Sequence, residues 1–137
     1  MEEAPRMIHL ENISKEYDGA TVLSDINLYI LKNEFLTLLG PSGCGKTTTL
    51  RLIGGFEYPT TGRGIYEGKD ITDVPPYKRR VNTVFQKYAL FPHLNVRDNI
   101  AFGLKIKKMS RGEIDRRVDK MLSLVNLAGY GKRSVDS

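Results

Sequence analysis

The sequence predicts an α/β fold from two neighbouring observations. Residues 35–39 form a short, almost continuous apolar run, which is typical of a strand covered on both faces. A glycine-rich stretch follows directly, and residues 47–53 beyond it have the pattern of a helix that ends near Gly54 and Gly55. A buried strand that leads through a glycine-rich loop into a helix is a building unit of α/β proteins, so this is the class that we predict.

Two further strands are predicted before the apolar run, at residues 7–17 and 22–30. In the second of them apolar residues mostly alternate with polar ones, as expected for a strand with one buried face. Asp18 and Gly19 lie between the two segments and are typical turn residues of a β-hairpin. The first thirty residues therefore predict an antiparallel pair.

The pattern is weaker after the first helix. Three glycines frame a short predicted strand at residues 63–67, and the consecutive prolines Pro75 and Pro76 interrupt the chain. Residues 81–85 then form a second apolar run, which we interpret as another buried strand.

A helix is predicted after Ser110, because Ser110 and Glu113 have the spacing of a capping box. Five apolar residues follow at helical spacing and predict one buried face: Ile114, Val118, Met121, Leu122 and Val125. Gly129 and Gly131 are expected to end this helix.

Composition excludes several classes of protein. The chain has 137 residues, a net charge of +5 and no apolar run near the roughly 18 residues that cross a bilayer. No signal segment opens it, so a cytoplasmic location is expected. Its single cysteine, Cys44, excludes an internal disulfide or a multi-cysteine metal site. The basic residues are scattered, which argues against a nucleic-acid partner.

The most specific motif is the phosphate-binding loop that begins at Gly40 and matches G-x-x-x-x-G-K-[ST]. Glycines allow the backbone to approach phosphates closely, and the following helix directs its positive end at them. We expect Lys46 to reach the outer phosphates and the Thr47 hydroxyl to bind Mg²⁺. Cys44 occupies a variable position of the motif and is interpreted as a small loop residue.

This motif alone leaves GTPases, small-molecule kinases, motor proteins and transporter ATPases open. The Asn-Lys-x-Asp run that a GTPase needs for guanine does not occur. The strings EFLTLLGPSGCGKTTTLRLIGGFE and VNTVFQKYALFPHLNVRDNIAFGLK resemble the ATP-binding subunits of ABC transporters. The resemblance extends over residues 8–131. Residues 81–86 and 88–93 are most similar to polyamine (spermidine/putrescine) importers, and sugar and iron importers are close alternatives.

The resemblance implies a role for individual residues. Tyr17 matches the aromatic residue that stacks on adenine, and Gln86 matches the glutamine that helps to coordinate Mg²⁺ and senses the γ-phosphate. The catalytic residues would then be Lys46 and Gln86, and the metal ligands Thr47 and Gln86. The nucleotide-binding residues would be Tyr17, Ser42, Gly43, Cys44, Gly45, Lys46, Thr47 and Thr48.

The resemblance also implies the surroundings of the protein. It implies an ATPase with ATP and Mg²⁺ as cofactors, at the inner face of the cell membrane, that pairs with a second copy of itself. The segment from Lys87 to Asn99 matches the surface that engages the membrane-spanning subunits. An antiparallel β subdomain and a RecA-like core are expected over residues 7–94, and the beginning of a helical subdomain over residues 95–137.

Three parts of the family pattern are absent from the sequence: the Leu-Ser-Gly-Gly-Gln signature, an apolar strand ending in Asp-Glu, and the switch histidine. We therefore interpret the chain as the N-terminal part of such an ATPase, with little or no hydrolysis of its own. The two predicted buried strands would have open edges, so self-association is expected. There are two alternatives. The first is a nucleotide-binding or self-associating module without turnover. The second is an ABC ATPase that acts on nucleic acid, and the importer-like segment argues against it.

Overall fold

The computed structural model describes residues 5–85 and 88–136. These residues divide into two compact units, the first extending to Thr83 and the second beginning at Val84. The functional boundary expected between residues 94 and 95 stays a prediction. No helix within the described residues is long and apolar enough to span a membrane.

The first unit contains the predicted hairpin. Strands β1 (Arg6–Tyr17) and β2 (Ala20–Leu31) pair antiparallel up to the Tyr17–Ala20 pair. Asp18 and Gly19 connect them with φ angles of 48° and 81°, and this two-residue turn with positive φ matches the twist of the strands. Both strands are slightly longer than predicted, and the hairpin itself is confirmed.

Two shorter strands complete a four-stranded antiparallel sheet. Strand β3 (Thr61–Tyr66) pairs with β1, and β4 (Lys69–Asp70) pairs with β3, which gives the order β2-β1-β3-β4. The prolines break the chain as predicted, and a single 3₁₀ turn, Pro76–Lys78, begins at the second of them.

Helix α1 (Lys46–Gly54) packs Leu52 and Ile53 against the hairpin. Gly55 ends the helix at a φ of 80°, where its amide donates to the Leu52 carbonyl. The core of this unit is formed by Leu10, Ile13, Leu23, Leu52 and Ile53. The predicted helix is thus confirmed, and hydrophobic burial fixes its position on the sheet.

The two predicted buried strands are not formed. Residues 35–39 and 81–85 have no strand structure, and the side chains of Phe35, Leu39 and Val84 are 94%, 88% and 89% exposed. A strand exists only where its amides and carbonyls bond to a neighbouring strand, and neither run belongs to the sheet of the described residues. Both the strand structure and the burial of these two runs were therefore predicted wrongly.

The second unit contains two helices, α2 (Val96–Ile106) and α3 (Arg111–Leu124). The hydroxyl oxygen of Ser110 accepts from the Glu113 amide at 3.3 Å, so the predicted helix start is confirmed. The core between the helices consists of Ala101, Ile114, Val118 and Leu122.

The predicted apolar face of α3 was too wide. Met121 and Val125 are 42% and 59% exposed, because contact with a single neighbouring helix covers only the row formed by positions 114, 118 and 122. The helix also ends at Leu124, before the glycine Gly129 that was expected to end it.

Candidate nucleotide-binding site

The glycine-rich loop before α1 has a tightly closed backbone. Gly43 and Gly45 have φ angles of 82° and 91°, which side-chain-bearing residues rarely adopt. A Cβ atom on Gly40 would lie only 2.5 Å from the Cys44 sulfur. The loop conformation therefore favours glycine at positions 43 and 45, while a Cβ on Gly40 would require the Cys44 sulfur to move.

Lys46 folds back over the loop. Its Nζ atom donates to the carbonyl oxygens of Gly40 and Pro41 at 2.5 and 2.7 Å, and lies 3.4 Å from the Cys44 sulfur. No carboxylate of the described residues pairs with this ammonium group. Its positive charge is thus held at the loop by neutral acceptors, which an anion can replace favourably.

The first turn of α1 adds a second positive feature. Its N-cap residue, Gly45, has no side chain to accept from the helix amides, and the turn contains no acidic residue. Within the described part of the chain, the amides of Lys46, Thr47 and Thr48 form no hydrogen bond. Uncompensated amides at the positive end of a helix form an anion-binding site.

A cavity of about 440 Å³ connects this loop with the hairpin. Its lining residues are Tyr17, Val22, Ser42, Gly43, Gly45, Lys46, Thr47 and Thr48. Tyr17 and the loop therefore line the same cavity, although more than twenty residues separate them in the chain. A cavity of this size, with one aromatic side chain and several convergent polar groups, fits a small polar ligand.

Two observations modify the predicted set of residues. Val22 lines the cavity and was not predicted. Its carbonyl oxygen lies 3.3 Å from the position of a Cβ on Gly45, so β2 passes directly beside the loop. Cys44 does not line the cavity, because its sulfur lies against Gly40 and Lys46. Only the tertiary contact between β2 and the loop reveals the role of Val22.

The threonines of α1 differ in their contacts. The Thr49 hydroxyl is buried and donates to the Gly45 carbonyl at 2.9 Å, which closes the first turn of the helix. Thr47 is exposed, lines the cavity, and has a hydroxyl that contacts no polar group among the described residues. One hydroxyl oxygen fits Mg²⁺ only when phosphates and water provide the other ligands, as is usual for this ion. Gln86, the other predicted ligand, lies outside the described residues.

Arg79 holds the opposite end of α1 and was missed by the sequence analysis. Its guanidinium group donates to the carbonyls of Leu52 and Ile53 in the last turn, at 2.7 and 3.0 Å. It also donates to Val74 and Thr72 at 2.6 and 3.1 Å. Partial burial lowers the pKa of Arg79, an effect that the nearby Tyr58 and Asp73 oppose. Arg79 thereby fixes the helix whose other end forms the phosphate loop.

Comparison with known proteins agrees with this geometry. The family model described as ABC transporter matches residues 23–137. The chain belongs to the ABC transporter family. The family resemblance inferred from the loop and the importer-like segment is thus confirmed.

Two curated relatives of this ABC transporter chain have the same name. The spermidine/putrescine import ATP-binding protein PotA of Clostridium novyi is 63% identical over 134 residues, which are 98% of this chain and 39% of that protein. PotA of Desulfitobacterium hafniense is 65% identical over 131 residues, 96% of this chain and 38% of that protein. The chain therefore spans less than two fifths of the length of these relatives.

Solved structures of the family confirm the predicted fold class. A dimeric post-hydrolysis state of the ATP-binding cassette MJ0796, bound to ADP and phosphate, superposes with a TM-score of 0.81 at 28% identity. It matches 95% of this ABC transporter chain and 62% of that structure. A second dimeric structure of MJ0796, described as a bacterial ABC transporter cassette, gives a TM-score of 0.80.

Proposed function

We propose that this chain binds ATP with Mg²⁺ and provides the phosphate-binding part of an ATPase that powers solute import. The observation that supports it most directly is the cavity in which the Lys46 ammonium and the first-turn amides of α1 meet without a carboxylate among the described residues. This arrangement suits a polyphosphate, and Tyr17 on the same cavity suits a base.

Each predicted site residue has a proposed role. The loop from Ser42 to Thr48 surrounds the phosphates, with Lys46 at the outer ones and Tyr17 stacked on adenine. Thr47 and Gln86 hold Mg²⁺, which when bound neutralises charge on the phosphates. Lys46 and Gln86 are the residues proposed to act in catalysis.

The chain alone is proposed to hydrolyse little or no ATP. The described residues that line the cavity include no carboxylate and no histidine, so none of them can orient water as a general base. The proposal is therefore nucleotide binding by this chain and hydrolysis by the whole ATPase.

A titration with a fluorescent ATP analogue and Mg²⁺ tests the binding. We expect a saturable signal that excess unlabelled ATP displaces, with no multiple-turnover release of phosphate. Lys32→Met, which removes an exposed charge just after the end of β2, should leave the curve unchanged. A folded chain without saturable binding would contradict the proposal, and Mg²⁺-dependent turnover would contradict its second part.

The imported solute is proposed to be a polyamine, because both PotA relatives carry that name at more than 60% identity. Sugar or iron import are the alternatives. The segment from Lys87 to Asn99 is proposed to contact the membrane-spanning subunits at the inner face of the membrane, and residues 95–137 to belong to the helical subdomain. In cells that express the whole transporter, Lys46→Ala should stop spermidine uptake, and uptake at the normal rate would contradict the assignment.

A second copy of the chain is a further proposed partner. The apolar run 35–39 forms no strand and is largely exposed, with Phe35 at 94%, and a second copy can cover it by pairing with it as a strand. We expect oligomers by light scattering that Phe35→Asp reduces. Tyr77→Asp, which changes an aromatic residue of similar exposure outside this run, should have no such effect. A monodisperse monomer at high concentration would refute the proposal.

A further inference from the structure

We infer that Lys15 is a positioning residue that fixes the ring of Tyr17 for the base of the nucleotide. The inference rests on the proposed function, since it concerns how the same cavity distinguishes a nucleotide from a bare polyphosphate. Lys15 does not itself line the cavity. It acts through its contact with Tyr17.

The Lys15 ammonium lies against the Tyr17 ring, with Nζ 4.8 Å from the ring centroid. At this distance a cation is attracted to the negative face of an aromatic ring. The Lys15 side chain is only 15% exposed, so this attraction is less screened by water than at a surface site.

The ammonium is itself held by two groups from the segment that follows α1. It donates to the Tyr58 carbonyl at 2.8 Å and pairs with the Glu57 carboxylate at 3.3 Å. The Glu57 side chain is 23% exposed, so this ion pair is also partly buried. Lys15 therefore has a fixed position, and the ring that it contacts is restrained with it.

The same segment is joined both to α1 and to β1. The Glu57 amide donates to the Arg51 carbonyl in the last turn of α1. The Thr60 amide donates to Ser14, and the Thr60 hydroxyl accepts from the Glu16 amide. Lys15 thus links the Tyr17 ring to the helix that begins at the phosphate loop.

This link has a consequence for binding. The base of a nucleotide can stack on Tyr17 while its phosphates bind the loop only if the ring and the loop keep a fixed separation. A ring that is already restrained also loses less entropy when the base stacks. The cation also draws ring electron density towards itself, which reduces repulsion between the stacked π systems. A bare polyphosphate does not touch the ring and gains nothing from Lys15.

The test compares the affinities of the 137-residue chain for Mg–ATP and Mg–tripolyphosphate. For Lys15→Met we expect Mg–ATP to bind about three- to tenfold more weakly, and tripolyphosphate to change less than twofold. Lys15→Arg should recover most of the ATP affinity. In a Tyr17→Leu background, Lys15→Met should cause no further loss.

A second measurement needs no ligand. By nuclear magnetic resonance, the Lys15 side-chain protons near Nζ should be shifted upfield by the Tyr17 ring, and Tyr17→Leu should remove that shift. Lys32→Met, a change of an exposed lysine in the turn after β2, should alter neither affinity nor this signal.

The remaining outcomes overturn the inference. Unchanged ATP affinity in a folded Lys15→Met chain would show that the contact is not used, and equal losses for both ligands would show that Lys15 acts on the loop. If tripolyphosphate binds as tightly as ATP, the ring of Tyr17 does not recognise the base, and only phosphate binding by the loop remains supported. If the folded parent chain binds neither ligand, the proposed function fails as well.

Discussion

Replacing Lys46 with alanine should weaken Mg–ATP binding by roughly 10- to 100-fold, because hydrogen bonds to a charged group contribute about 1.5–3 kcal/mol. The ammonium is bonded only to the neutral Gly40 and Pro41 carbonyls and the Cys44 sulfur among the described residues. A phosphate is a stronger hydrogen-bond partner for the ammonium group, so Lys46 should contribute mainly to the free energy of nucleotide binding.

The same change should have little effect on the fold. The loop carbonyls that lose Lys46 lie at an exposed part of the chain and can bond to water instead. Isothermal titration calorimetry for affinity and thermal unfolding for stability separate the two effects. Lys46→Arg, which keeps the charge and changes the shape of the donor, is the matched variant. Full ATP affinity in Lys46→Ala would refute the assigned role.

Replacing Arg79 with methionine should lower the free energy of unfolding by about 3–4 kcal/mol, because four hydrogen bonds from a partly buried cation are lost together. Methionine keeps much of the length of the side chain and cannot donate to any of the four carbonyls. Two of these carbonyls end α1, where a positive charge also stabilises the helix dipole.

Arg80 provides the matched control for this change. It is the next residue in the chain and its side chain is 83% exposed. Among the described residues it pairs only with Glu67, at 3.7 Å. Arg80→Met should therefore change the free energy of unfolding by less than about 0.5 kcal/mol. Urea unfolding followed by circular dichroism measures both variants. Equal effects of the two changes would show that the Arg79 contacts do not hold α1.

Local patterns in the sequence were sufficient for the hairpin and for helices α1 and α3. Asp18 and Gly19 tolerate the positive φ of a two-residue turn, so the turn could be located without knowing the rest of the fold. Ser110 and Glu113 similarly marked the start of α3 through a contact within one turn of the helix. These predictions succeeded because the interactions join residues close together in the chain.

The candidate site was only partly predictable for the same reason. The loop motif identified Lys46 and Thr47, since their positions relative to the glycines are set by the local backbone. Val22 was missed, because its approach to Gly45 depends on how β2 lies beside the loop. Arg79 was missed as well, because its partners at the end of α1 are distant in sequence.

The sequence by itself therefore determined the family, the phosphate loop and the elements whose hydrogen bonds are local. Tertiary structure decided which residues join the loop around one cavity, and it decided that Phe35 and its neighbours remain exposed. The physical reason is that a strand and a binding cavity both need partners from distant parts of the chain. Apolar composition predicts that such partners are needed, and only the folded chain shows whether they are present.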